Sequence, residues 1–563
     1  MKRLKSIKNV FYTLFMLVSF ISCKDYLEED MVSNVSEGSY YTTEEGVEDA
    51  LNAGYSYLKD ALYARECGLS LTVFGTDTYA NGCDGNNFDL AQYYFDPTQS
   101  YLWELWCDMY MAINQCNSVI SKIPEVEDID DAIKNEDMAE ARFLRALYYF
   151  TLVRQFGDVT LTLEETSAVE TEATRTSADS IYKMAIIPDL EYAISILPET
   201  QSEYGRVTKG AAELLLSKVY LTYGWLIDDN SAFTESIKYA ETVINSGNYS
   251  LLDNYADIWD IDNQENSEVV FAVQNSTDIL INGDGNHAHL FFLMNYDKLT
   301  GMQRSIEYGR PWKRFDPTEY CLSLWNTQYD SRYYKSFQTI WLCNNSETAL
   351  SQCSVGDTAL FMPGVSIGNK YYIADANGNR VEKTLSQSYY DERNDKSMTI
   401  YTPEKYTLEI FPTLLKFLDP TRSSINQVSG SRDYFVLRFS EAYLIAAEAY
   451  FKTGDNINAA KMLNVIRERA AWPGYKADMD ISAADVNIDF ILEERARELL
   501  GEQQRWYDLT RTGTLIERVK AYCNAMNYAN FAKDNITEKH ILRPIPQLQI
   551  DRCSNDYGQN PGW

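Results

Sequence analysis

Apolar residues recur along most of this chain at the three- and four-residue spacings of helices with one buried face. Residues 39–65 place Tyr40, Val47, Leu51, Tyr55, Leu58 and Leu62 near that spacing, which predicts a first helix. A second is predicted over 105–123, ended by Pro124. A third spans 135–155, where Met138, Ala141, Leu144, Tyr148 and Leu152 share a face before Gly157. Residues 177–197 read as a helix kinked by Pro188. Two helix pairs follow, 208–226 with 232–246 and 440–452 with 456–470.

Residues 253–438 break the pattern. They are rich in Asn, Gly, Ser and Tyr, and only 269–273, 370–373, 400–401 and 436–438 predict short strands. A loop-rich stretch of this length inside a helical chain is where function is expected to sit. In the last helix pair, Tyr443, Ala446, Ala447, Tyr450, Gly454, Ala459 and Leu463 alternate small and large in the manner of a tetratricopeptide repeat. Small residues let two antiparallel helices approach, and large ones fill the gap. The expected fold is therefore mostly α, a tetratricopeptide-like helical-repeat scaffold with a large loop-rich insertion that carries short strands.

The run ILEERARELLGEQQRWYDLTRTG over 491–513 is the most specific pattern in the chain. Leu492, Ala496, Leu499 and Leu500 form an apolar helix face, with Glu493/Arg497 and Arg495/Glu498 as flanking ion pairs at i,i+4 and i,i+3. Gly501 ends the helix, and Arg505-Trp506-Tyr507-Asp508 forms a compact junction. This run resembles the ERA-REL-GEG-RWYDL-RTG signature of the SusD/RagB family of outer-membrane nutrient-binding lipoproteins, with Gln503 where Gly is common. Leu542-Arg543-Pro544-Ile545-Pro546, Ile550 and the ending Gln559-Asn560-Pro561-Gly562-Trp563 are similar to the family's C-terminus, and EARFLRALYYFTLVRQFGDV over 140–159 to a third block. The resemblance implies about four helix pairs in a right-handed scaffold and names the fold rather than the ligand site.

At the N-terminus, Lys2, Arg3, Lys5 and Lys8 precede an apolar stretch over 10–21 that is too short to span a bilayer. This reads as a lipoprotein signal peptide, 1–22, ending before Cys23 in a lipobox-like Phe20-Ile21-Ser22-Cys23. Acyl chains on Cys23 would anchor the chain, each buried methylene contributing about 0.8 kcal/mol. The acidic start at Asp25, Glu28, Glu29 and Asp30 resembles the surface-export signal of Bacteroidetes lipoproteins. Beyond the signal, the organisation reads as a helical region over 23–252 and a second region over 253–563, divided into the insertion 253–438 and a closing helical part 439–563.

The net charge is −32, and loss of the four basic residues of the signal takes it to −36. So acidic a chain should repel nucleic acid and anionic membrane surfaces, which favours neutral ligands. Of ten cysteines, nine remain besides Cys23, and none forms a C-x-x-C pair. Cys67/Cys83, Cys107/Cys116 and Cys343/Cys353 are close in sequence, but the pairing is not readable from it.

Catalytic signatures are sparse. There is no H-E-x-x-H, Walker loop or G-x-G-x-x-G. His287 and His289 lack a third ligand at a recognised metal spacing. Gly364-Val365-Ser366-Ile367-Gly368 matches G-x-S-x-G without the strand-turn-helix context of a nucleophile elbow, so it reads as a chance turn. A two-carboxylate glycosidase needs only two acidic groups in reach and leaves no linear motif; no enzymatic activity is expected.

Two segments are the ligand-site candidates. In GTDTYANGCDGNNFD, residues 75–89, Asp77, Tyr79, Asn81, Asp84 and Asn86 offer amide, hydroxyl and carboxylate partners for sugar hydroxyls. Its carboxylates could also hold a structural calcium; no cofactor or other metal is expected. In YGRPWKRFDPTEYCLSLW, residues 308–325, Tyr308, Arg310 and Trp312 combine flat rings with a rim cation, and Trp312 is the ring expected to be exposed. Trp103 and Trp106 flank a helix start and could be core or surface. The resemblance implies a lipid-anchored protein of the outer-membrane surface. It would capture oligosaccharide or polysaccharide without catalysis, pass it to a SusC-like TonB-dependent transporter, and bind no nucleic acid. The alternatives are peptide cargo of RagB type, a helical-repeat adaptor without a small ligand, and a surface glycosidase.

Overall fold

The computed structural model describes residues 43–563 apart from 128, 167, 365–368, 376 and 525–529. The signal over 1–22, Cys23 and positions 365–368 of the G-x-S-x-G match lie outside the described residues.

Eight helices pack in space in the order they occur in the chain: Glu44–Ser56, Ser100–Lys122, Asp131–Phe156, Ile187–Ile196, Lys209–Ile227, Asn230–Asn245, Phe439–Lys452 and Asn456–Ala470. They make the four pairs of a tetratricopeptide-like scaffold. Side chains of Thr43, Asp130, Thr208, Asp229 and Asp455 accept backbone N–H groups at five of the N-termini, which explains why those helices begin there. Small residues set the close approach of Lys209–Ile227 to Asn230–Asn245. Ser217 and Ser236 each donate to the other's carbonyl, at 2.7 and 2.9 Å, and a Cβ on Gly224 would lie 2.8 Å from the Phe233 ring. The Pro188 kink is a π-turn over Tyr182–Ile186, whose wider spacing accommodates the ring and the missing N–H.

The loop-rich insertion leaves and re-enters the scaffold at one place. Val269–Val273 near its start pairs antiparallel with Tyr434–Arg438 at its end. Asn230–Asn245 therefore packs directly on Phe439–Lys452 despite the long excursion between them. Within the insertion, Ile340–Leu342, Thr358–Phe361 and Thr399–Ile400 form a small sheet, and Lys370–Ala374 pairs with Arg380–Thr384.

The helix Ile488–Glu498 departs from the amphipathic reading, because Glu494, Arg495, Arg497 and Glu498 are all buried. The expected Glu493–Arg497 pair forms, at 3.5 Å, but Arg495 turns to Glu441 and Asp508 instead of Glu498. Glu498 sits among Arg332, Arg438 and Arg469 at 3.0, 3.2 and 2.5 Å. Glu268, Asp330, Glu494, Glu502 and Lys416 extend the cluster. Each charge is desolvated and survives only because its partners surround it.

This cluster sets the acid limit of the fold. Burial pushes the Glu498 carboxyl up, but Arg469, Arg438 and Arg332 outweigh it and bring it down to about 2; Asp508, against Arg495 and Arg511, also reaches about 2. A carboxyl held below its unfolded value of about 4.3 stabilises the fold above that pH, and the contribution is lost as pH falls toward 2. Between pH 4 and 7 other groups oppose one another. Desolvation holds His287, His289 and His540 down to about 4, which favours the fold as pH rises. Burial holds Glu140 up to about 7 and Asp433 up to about 6, which disfavours it. Thermal midpoints are expected to change little from pH 5 to 7 and to drop steeply below about pH 4; a steady decline beginning at pH 6 would contradict this account.

Candidate ligand-binding face

The two candidate segments meet as neighbouring strands. Tyr79–Asn81 pairs antiparallel with Phe315–Pro317, and the pairing continues as Gly82 N–H to Arg314 O at 2.8 Å and Cys83 N–H to Lys313 O at 3.1 Å. A Cβ on Gly82 would stand 2.0 Å from the Lys313 carbonyl, so only glycine permits this approach.

The strand pairing also buries half of the proposed residues. Asp77 is fully enclosed; its oxygens accept from Arg505 at 2.7 and 2.6 Å and from Arg518 at 2.8 Å. Burial alone would raise its pKa, but the two guanidiniums outweigh it and hold the carboxyl below the usual range. Tyr79 is 1% exposed and packs edge-on against Phe292 and Phe315. Asn81 is buried and accepts from the Gln92 amide at 3.1 Å. Tyr308 is buried against Tyr296, and its hydroxyl accepts from the Leu342 N–H at 2.9 Å. Asp77, Tyr79, Asn81 and Tyr308 are thus core residues with no face toward a surface ligand. A Gly- and Asn-rich composition suggested an exposed loop, and partners distant in sequence cover it instead.

Asp84, Asn86, Arg310 and Trp312 reach the surface. Asp84 accepts from Arg314 and from the Asn86 N–H, the latter at 3.1 Å; burial nonetheless keeps its carboxyl above the usual range. Arg314 also meets Glu66, which accepts from Tyr101 O–H at 2.5 Å and Asn87 Nδ2 at 3.2 Å, and Gln99 donates to Asn87 Oδ1 at 3.2 Å. This polar knot fixes the loop that presents Asn86. The reading of the sequence missed Glu66 and Tyr101 because they lie outside the two segments it singled out, and passed over Arg314 within the second because its acidic partners are distant in sequence.

Trp312 is half-buried. Its backbone N–H is tied to Leu290 O at 2.9 Å, and its ring packs edge-on to Phe291 at 5.6 Å. The Arg310 guanidinium lies 5.9 Å from the ring and donates to Asn426 O at 2.6 Å. Phe291 also carries the Arg314 guanidinium at 5.5 Å, so it separates Trp312 from the polar knot. The result is a fixed flat ring with the Arg310 guanidinium beside it and, across Phe291, the polar knot that presents Asn86. Such a surface suits a ligand with apolar C–H faces and many hydroxyls.

Metal chemistry gains no support from these residues. The carboxylates of Asp77 and Asp84, the calcium candidates, both face arginines. Among the described residues no group of three or more His, Cys, Asp or Glu side chains is placed to hold a metal. His287 and His289 instead make ring contacts to the carbonyls of Asp284 and Val428, at 3.0 and 2.8 Å.

Residues 252–563 match the model of the SusD family, and residues 25–221 match a family described as starch-binding, associating with outer membrane. SusD-like protein P25 of Formosa agariphila is 24% identical, over 97% of this chain and 97% of its own. Starch-binding protein SusD of Bacteroides thetaiotaomicron is 27% identical, over 78% of this chain and 75% of its own. Among solved structures, a SusD homolog from Bacteroides thetaiotaomicron has a TM-score of 0.71 at 22% identity, with 94% of this chain and 99% of that one covered. Surface glycan-binding protein A of the same organism, in complex with laminarihexaose, has a TM-score of 0.67 at 21% identity, with 92% and 99% covered. At these identities the solved structures establish the fold.

Proposed function

The chain belongs to the SusD family, and from that premise we propose that it is a non-catalytic surface lipoprotein that captures oligosaccharide and passes it to a SusC-like TonB-dependent transporter. The observation that carries the reading is the half-buried Trp312 ring, held by Phe291 and Leu290 and flanked by Arg310. Neutral glycan is the favoured cargo, because a net charge of −32 opposes polyanions. Anchoring rests on Cys23 after the apolar leader. Docking to a transporter is supported by an apolar tip at Ile279, Leu280 and Ile281, which are 71%, 88% and 70% exposed on a short helix capped by Asp278. Calcium has no part in this reading.

Protein beginning after Cys23 is expected to be retained on affinity gels of at least one neutral polysaccharide. Trp312→Ala should cut retention about tenfold in protein that stays folded, with a modest fall in thermal midpoint from the lost packing on Phe291, and Asn86→Ala should cut it less. Unchanged retention by folded Trp312→Ala would remove the ring from the site. Competition by peptides but not by free glycans would shift the cargo to peptide. Delivery is tested by co-purification of a TonB-dependent transporter with the lipidated protein from detergent-solubilised outer membranes.

A further inference from the structure

The helix Ser100–Lys122 serves two surfaces. Tyr101 at its start joins the knot beside Asn86, while Trp103, Trp106, Tyr110 and Asn114 face another side, along an open cleft of about 590 Å³ whose other wall carries Thr160, Thr162, Thr166 and Ala173. That volume lies within the range of small-ligand sites, about 300–1,000 Å³.

The rings of this cleft are not equivalent. Trp106 is its floor: 2% exposed, edge-on to Phe156 at 5.1 Å, with its indole N–H donating to Gln549 Oε1 at 3.2 Å. Tyr110 sits 5.0 Å from Trp106, and its hydroxyl donates to Thr160 O at 2.9 Å, which fixes the ring in the wall. Trp103 is half-buried, with the Arg552 guanidinium 4.6 Å over its ring. Its indole N–H has no hydrogen-bond partner among the described residues.

Polar groups alternate with the rings. Asn114 accepts the Thr166 N–H at 2.8 Å through Oδ1, which orients its NH₂ group. Gln115 donates to Ala50 O at 2.9 Å, which orients its carbonyl. Of the charged groups, Glu170 and Glu172 are exposed at the mouth and oppose an anionic ligand, while the exposed Arg552 lies over the Trp103 ring as a rim cation. A purely apolar partner would leave the Asn114 NH₂ group and the Gln115 carbonyl unpaired, whereas the Thr160 and Thr162 hydroxyls are already bonded to Tyr557 and Tyr149. A chain of sugar rings offers C–H faces for the indole and hydroxyls for the amides.

We propose that this cleft is a second saccharide subsite, which takes a neutral oligosaccharide with Trp103 as its stacking platform. It rests on the reading of the chain as a glycan-binding protein. The Ser100–Lys122 helix then links two contact points, so that one polysaccharide strand reaching both is held by avidity.

Wild type, Trp103→Ala, Trp103→Phe and Trp312→Ala would be compared on affinity gels of a panel of neutral polysaccharides, including laminarin and starch. Alkylation of Cys107, a cleft-lining thiol, would be followed by peptide mass spectrometry with and without laminarihexaose or maltohexaose. The expected result is a five- to tenfold loss of retention in folded Trp103→Ala, roughly one stacked ring, with most retention kept in Trp103→Phe. A hexasaccharide matching the retaining polysaccharide should slow Cys107 alkylation in wild type and in Trp312→Ala. Retention lost in Trp312→Ala but unchanged in Trp103→Ala, with Cys107 unprotected, would overturn the second subsite and leave the proposed function standing. A wild type held by no gel and unprotected at Cys107 would overturn both.

Discussion

Glu498→Gln is expected to destabilise the fold by about 3–5 kcal/mol, enough to lower the yield of native protein sharply. The substitution keeps the shape of the side chain and removes one negative charge from among Arg332, Arg438 and Arg469. Those guanidiniums are between 0% and 5% exposed, so water does not replace the lost partner. The control is Glu493→Gln on the same helix. Glu493 also pairs with an arginine, but it is 36% exposed, and its loss should shift stability by no more than about 0.5 kcal/mol. Urea unfolding of both variants at pH 7 makes the comparison. Equal midpoints would mean that the buried cluster is worth no more than a surface pair.

The contrast between Glu498 and Glu493 shows what the sequence reveals and what it hides. Helix period, caps and the insertion's position follow from local rules, and six of the eight scaffold helices lie within a few residues of their predicted spans; the first and the kinked fourth are shorter or broken. The resemblance named the fold because its motifs are scaffold: Trp506 and Tyr507 pack at 5.8 Å, and Arg543 lies 4.7 Å over the Trp506 ring. The partners of a buried charge are not local. Glu498 takes its arginines from 332, 438 and 469, and no periodicity announces that pairing. Exposure suffers the same blindness. Trp312, a ring among charged neighbours, is partly exposed as expected, whereas Tyr308, four residues earlier, is core because Leu342 and Tyr296 enclose it.

Asp77→Asn carries that lesson into a test. As a polar residue in a glycine-rich run, Asp77 looked like a sugar ligand; in the fold it neutralises two buried arginines, Arg505 and Arg518. Asparagine keeps the size but offers one acceptor and no charge, so both guanidiniums lose their buried counter-ion. The expected cost is about 3 kcal/mol or more. Arg505 belongs to the Arg505–Arg511 helix and Arg518 to Leu515–Tyr522, so the damage should spread to the packing of the C-terminal part of the chain. Glycan affinity of the protein that remains folded should stay within about twofold of wild type, because Asp77 is fully buried and has no path to a surface ligand. The two quantities separate the roles. Loss of thermal midpoint with retained affinity marks a structural carboxylate. Loss of affinity at an unchanged midpoint would place Asp77 at the sugar and require the strand pair that covers it to open.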